Sequence, residues 1–275
     1  MAISRTIFKR TALAKELASD LAGERFADYS SGLFLAAPRR TGKSTFLETD
    51  LIPECERRGW LPVYVDLWID RTADPAVLIA GAIANVLLQF ESPARKVVKK
   101  AGIEKVSLLQ TLNWDFTKPQ LPTGTTLAGA LDVLHKVSGK MVVLIIDEAQ
   151  HALNSEAGLN SMFSLKAARD QLNKGNGPDG LRLVFTGSSR DKLGNLVLKN
   201  KQPFFGATIT PFPLLGQDFV NAYTKEVNFR LASSNQFSSE DIGDAFRLVG
   251  NRPEVLYKLI QEVRDRKSTR LNSSH

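Results

Sequence analysis

A chain of 275 residues, 43% hydrophobic and 24% charged, has room for one α/β core with a small appendage and is too apolar to be a disordered chain. Its formal charge of +7 permits contact with nucleic acid without demanding it. The single cysteine, Cys55, excludes an internal disulfide and a cysteine metal cluster, and agrees with a reducing compartment.

Met1 to Arg10 carries Arg5, Lys9 and Arg10 with no long apolar region behind them, so no signal peptide is read there. Ile3 to Ala22 has the spacing of an amphipathic helix, with Leu13, Leu17 and Leu21 on one face, and residues 1–30 are taken as an N-terminal helical segment over the sheet edge. The apolar run Gly32 to Ala36 predicts a first strand. Ala37-Pro38-Arg39-Arg40-Thr41-Gly42-Lys43-Ser44 follows, and a helix is expected from about Thr45. Strand, basic loop and helix in that order make a phosphate-binding loop. Backbone N–H groups of residues 37–45 would wrap a β-phosphate, and Gly42 lets the backbone approach closely. Lys43 would place its charge on the β- and γ-phosphates, and the Ser44 hydroxyl would ligate Mg²⁺. Ala37 stands where the pattern has its first glycine, which is tolerable at negative φ.

Thr45 to Arg58 reads as a helix, with a kink or break at Pro53. Leu61 to Trp68 is a second strand, and Asp66 within it either approaches the site from the strand's C-terminal end or, the preferred reading, has a capping or surface role. Asp74-Pro75 caps a helix to about Phe90. This longest apolar stretch falls short of the ~20 residues of a membrane span, so the expected location is cytoplasmic. Arg95, Lys96, Lys99 and Lys100 form a basic helix face, either solvated or in contact with nucleic acid. An inserted hairpin or loop is read over 103–124, and Thr125 or Thr126 caps a helix through Val137.

Met141 to Ile146 is a continuous apolar run, the pattern of a parallel strand buried on both faces, and it ends in Asp147-Glu148. Acidic residues at that end sit where open α/β sheets bind ligands. Asp147 would hold Mg²⁺, and Glu148 would orient the attacking water. Gln150 is read as a link to a partner and His151 as a helix-start surface residue. After a helix from Ser161 to Leu172 and a turn at 175–180, Leu181 to Thr186 is a further strand. Ser188 or Ser189 at its end would reach the γ-phosphate or the lytic water. Arg190 would add positive charge there, or simply begin a solvent-facing helix. Ala207 to Thr210 is the fifth strand, and Pro211 with Pro213 forms a stiff linker.

Helices over 216–232, 238–249 and 254–263 suggest a small lid, with Arg252 turned to the phosphates or left at the surface. The expected divisions are a core at 31–213 and a truncated lid at 214–264. Residues 265–275 match, codon by codon, an in-frame translation of a common sequencing adapter. They are expected to be a non-native tail, with the natural chain continuing past Arg264; the tail supplies +2 of the formal +7.

These motifs together resemble the AAA+ and STAND-related branch of P-loop ATPases, most closely the ATPases near the origin-recognition and transposition-helper groups. The resemblance rests on Ala37 to Ser44, Ile146-Asp-Glu-Ala-Gln150, Thr186-Gly-Ser-Ser-Arg190 and Gly250-Asn-Arg-Pro253, and spans about residues 30–264. It implies a parallel sheet of order 5-1-4-3-2 flanked by helices, with a C-terminal helical lid. It also implies ATP and Mg²⁺ as ligands, Ser188 as the sensor beside the Walker B strand and Arg252 as the lid sensor. Lys199 and Lys201 stand before the fifth strand where a trans-acting arginine is usual, which leaves Arg190 as its substitute. The implied activity is Mg²⁺-dependent ATP hydrolysis that moves the lid or a partner. A nucleotide-gated switch with little turnover, or a DNA-binding transposition or replication helper, is the alternative. The implied partners are an unidentified protein or DNA, with a homo-oligomer left open and no membrane.

Overall fold

In a computed structural model, residues 7–25, 29–90, 121, 124–174, 180–229 and 231–272 are described, with side chains to residue 264. The sheet contains β1 (Leu33–Ala36), β2 (Leu61–Asp66), β3 (Val142–Asp147), β4 (Leu181–Gly187) and β5 (Ile209–Pro211). All of its pairings are parallel, in the spatial order β2-β3-β4-β1-β5. This is the expected order read from the opposite edge.

Alternation along the strands builds two cores. Phe34, Val142, Leu144, Ile146, Leu183 and Phe185 face one side. There they meet α4 (Pro75–Leu88), α5 (Leu127–Ser138), α6 (Glu156–Leu172) and the short α7 (Arg190–Gly194). Leu33, Leu35, Val143, Ile145 and Val184 face the other side and meet α1 (Thr11–Leu21) and the helix after the basic loop. That helix has three parts without a break: α2 (Lys43–Phe46), a π-helical stretch (Leu47–Leu51) and α3 (Ile52–Arg57).

The chain therefore does not stop or break at Pro53. Pro53 has no N–H for the Thr49 carbonyl one turn earlier, and that carbonyl instead accepts from Lys9 Nζ at 2.6 Å. The N-terminal helix is also shorter than its periodicity suggests, starting at Thr11. Residues 7–10 lie outside it, because Phe8 is committed to an edge contact with Phe219 and the Arg10 N–H to Asp50 Oδ1 at 2.9 Å. Pro211 ends β5 rather than beginning the linker. β5 is an edge strand, where a missing N–H costs no ladder bond.

The C-terminal part comprises α8 (Gln217–Asn228), α9 (Ser239–Leu248) and α10 (Pro253–Asn272) around a third core of Phe219, Val220, Ile242, Phe246, Leu256 and Ile260. α8 ends earlier than expected because the Asn228 side chain pairs with the Phe237 backbone, donating to its carbonyl and accepting from its N–H. α10 runs on into the adapter-like residues. The basic face at 93–100 and the segment 103–120 lie outside the described residues. Among the described residues, no helix is long and apolar enough to cross a membrane.

Candidate functional site

The basic loop joins β1 to α2 at the C-terminal edge of the sheet. Its positive φ values fall at Arg40 (65°) and Gly42 (92°), and not at Ala37. A Cβ on Gly42 would meet nothing within 4 Å, so it is the backbone angle that calls for glycine here. Ala37 is tied to β4 through its N–H, which donates to Gly187 O at 3.2 Å, and the Thr41 hydroxyl closes the loop on Pro38 O at 2.7 Å.

Lys43 is buried, 5% exposed, and its Nζ donates to Ala37 O at 3.1 Å. Glu148 Oε1 is 3.9 Å away, at the outer limit of an ion pair. Burial lowers the Lys43 pKa, Glu148 and Asp147 oppose that, and Arg39 adds to it. An ammonium has three donors. One carbonyl and one distant carboxylate leave most of this capacity unused, which fits a phosphate ligand.

Asp147, 1% exposed, is a hub. Its Oδ2 accepts from the Ser44 hydroxyl at 2.5 Å and from the Tyr64 hydroxyl at 3.3 Å. Its Oδ1 accepts from the Glu148 N–H at 2.9 Å and from the Thr186 hydroxyl. Burial, with Asp147 next, pushes the Tyr64 phenol well above its ordinary value and keeps it a donor. Among the described residues no group of three or more His, Cys, Asp or Glu could hold a metal by itself. A hydroxyl and one carboxylate suit Mg²⁺, which keeps waters and phosphate oxygens in its shell.

Glu148 takes a left-handed backbone, φ 53°. That turns its side chain back over the sheet edge, where Oε2 accepts from the Ser188 hydroxyl at 2.8 Å and from the Gln150 amide. Ser188 also accepts from Gln150 Nε2 at 3.3 Å. Ser189 instead caps α7, accepting from the Lys192 N–H at 3.4 Å. The fold thus brings Lys43, Ser44, Asp147, Glu148 and Ser188 together. It leaves Arg190 and Arg252 exposed, and among the described residues neither side chain bonds to that group.

Sequence reasoning missed Tyr64, Thr186 and the inward turn of Gln150. Thr186 carried a signal as the polar end of an apolar strand. Tyr64 stands two positions before Asp66, on the same face of the edge strand. Gln150 is 6% exposed and lies against Gly187, where a Cβ would come within 2.6 Å of its Oε1. His151 is half-buried against Trp68, with ring centroids 4.4 Å apart, rather than a free surface residue.

A cavity of about 280 Å³ opens on the other side of the loop. Arg10, Thr45, Phe46, Asp50, Phe219 and Tyr257 contribute to its wall. The Arg10 guanidinium lies 4.8 Å from the Phe212 ring centroid, and its Nη1 is buried without a hydrogen-bond partner. Arg40 reaches across to Glu254 of α10 at 4.0 Å.

No family model and no curated protein matches the chain. Solved structures do. A Walker-type ATPase of Pyrococcus abyssi superposes with a TM-score of 0.50 at 18% identity, covering 97% of this chain and 76% of that one. The ORC2 protein of Aeropyrum pernix in its ADPNP–ADP complexes gives 0.50 at 14% identity, over 89% of this chain and 58% of its own. Its ADP form gives 0.50 at 12% identity, over 89% and 59%. The chain thus spans under two thirds of the ORC2 protein's length. These likenesses show the fold: a five-stranded parallel sheet flanked by helices, shared with a Walker-type ATPase and an origin-recognition protein.

Proposed function

We propose that this chain binds ATP with Mg²⁺ and hydrolyses its γ-phosphate. One observation carries the reading. Buried Lys43 and the Ser44–Asp147–Thr186 cluster converge with Glu148 at the C-terminal ends of the adjoining strands β1, β3 and β4. In this reading Lys43 neutralises phosphate charge, while Ser44 and Asp147 hold the metal, which supplies Lewis acidity at the phosphoryl oxygens. Glu148 orients water and takes its proton, with Ser188 and Gln150 setting its angle. Residues 37–45 form the nucleotide-binding loop. The cavity beside Arg10 takes the base, with the buried Nη1–H available to a ring acceptor. Residues 31–213 would act as the catalytic core and 214–264 as a lid.

ATP turnover by the full chain, compared with Lys43→Ala and Glu148→Gln, tests this. Lys43→Ala is expected to lose nucleotide binding. Glu148→Gln is expected to bind normally and to lose turnover about 10²–10³-fold, the scale of a positioned base. Equal activity in all three sinks the proposal.

A second reading, a nucleotide-gated switch with little turnover, is favoured by Glu148 itself. Ser188 and Gln150 both donate to its carboxylate, which withholds it from water. Tight binding with slow single-turnover hydrolysis would select it. The DNA-helper reading rests on the basic segment outside the described residues. Its test is salt-dependent DNA retention.

A further inference from the structure

We infer that Arg39 is the cation that tells a triphosphate from a diphosphate at this site, and that Trp68 and Ser188 hold it at rest. The inference builds on the nucleotide-binding reading above. Phosphoryl transfer gathers negative charge that Lys43 and a metal share with a further cation. The sequence offered Arg190 and Arg252; like Arg39 both are exposed, but among the described residues neither is connected to the cluster.

Arg39 is connected to it. Its Nε donates to Ser188 Oγ at 3.3 Å, and Ser188 in turn donates to Glu148 Oε2 at 2.8 Å. The charge of Arg39 also acts on Lys43. Because Arg39 belongs to the phosphate loop itself, the backbone that carries it is anchored to β1 and α2.

Its resting contacts are weak by construction. The guanidinium carbon lies 4.2 Å from the Trp68 ring centroid, while the Arg71 guanidinium carbon lies 4.5 Å from the same ring. Two like charges on one ring repel each other, and an exposed cation–π contact is a modest attraction. A charge-assisted bond to phosphate is the stronger one. Arg71 can keep the ring in place after Arg39 leaves. The departure also removes one of the donors to Ser188 and loosens the group that restrains Glu148. Arg39 would thereby couple the arrival of a terminal phosphate to the release of the Glu148 carboxylate.

Trp68 reports the move. In the full chain carrying Trp60→Phe and Trp114→Phe, Trp68 emission is followed on adding AMPPNP or ADP with Mg²⁺. AMPPNP is expected to shift the emission and ADP is not. Arg39→Gln should abolish the shift and weaken AMPPNP binding about tenfold, with ADP binding within about twofold, and lower turnover about 10²-fold. Retained ADP binding shows that the variant folds. Arg39→Gln that binds AMPPNP like the parent, with the shift intact, overturns the inference alone. Binding of neither nucleotide by the parent chain overturns both this inference and the proposed function.

Discussion

The two sides of the phosphate loop are built differently. On the β3–β4 side, Asp147 is 1% exposed and four groups donate to it, all from neighbouring secondary-structure elements or its own strand end. On the α10 side, the loop faces an open cavity and an Arg40–Glu254 pair whose side chains are 63% and 44% exposed. The first side is organised before any ligand arrives, which electrostatic catalysis requires. The second has room and few commitments, which suits a part that closes on its ligand. Both sides depend on one loop, so a nucleotide would link a rigid half to an adjustable one.

The largest effect is expected where the rigid half is broken. Asp147→Asn places an amide donor against hydroxyl or N–H donors on one of its two sides. Turnover should fall by about 10³-fold, and the denaturation midpoint should report a loss of about 2 kcal/mol for the mismatched buried groups. A variant as stable as the parent would show that the Asp147 hub is not preorganised. Next comes the cavity. Arg10→Met keeps an unbranched side chain beside Phe46 and Phe212 and removes the buried donor. ATP affinity should drop about tenfold, near 1.4 kcal/mol, with tripolyphosphate affinity unchanged. Equal losses for both ligands would move Arg10 from the base to the phosphates. The smallest effect belongs to the exposed pair. Glu254→Gln should cost under about 0.5 kcal/mol by chemical denaturation. A much larger cost would mean that the adjustable half is held as firmly as the rigid one.

Much of the rigid half was legible in the sequence because each part of it is local. Gly42, Lys43 and Ser44 are consecutive, and an unbroken apolar strand delivers Asp147 and Glu148 to its end. The strand order came from the family resemblance of these motifs rather than from the pattern itself, and the sheet has that order. The adjustable half was not legible, because its contacts join residues far apart. Helical periodicity carried the first helix back to Ile3, yet Phe8 lies against Phe219, some two hundred residues away in sequence. Pro53 signalled a break, but Lys9 supplies the hydrogen bond that the proline cannot. Gln150 looked like a surface link until Gly187 left space for it to turn inward.

By itself, then, the sequence determined the phosphate loop, the acidic strand end, the apolar runs that become the strands, and the helix cap at Asp74. Short-range chemistry decides all of these: backbone angles, side-chain period and neighbouring donors. Tertiary structure decided which arginine meets Ser188, which donors surround Asp147 and where the first helix begins. Those depend on which distant side chains compete for the same partner. Arg39 shows the difference most clearly: in the sequence it is one basic residue of a loop, and in the fold it lies between Trp68 and the serine that holds Glu148.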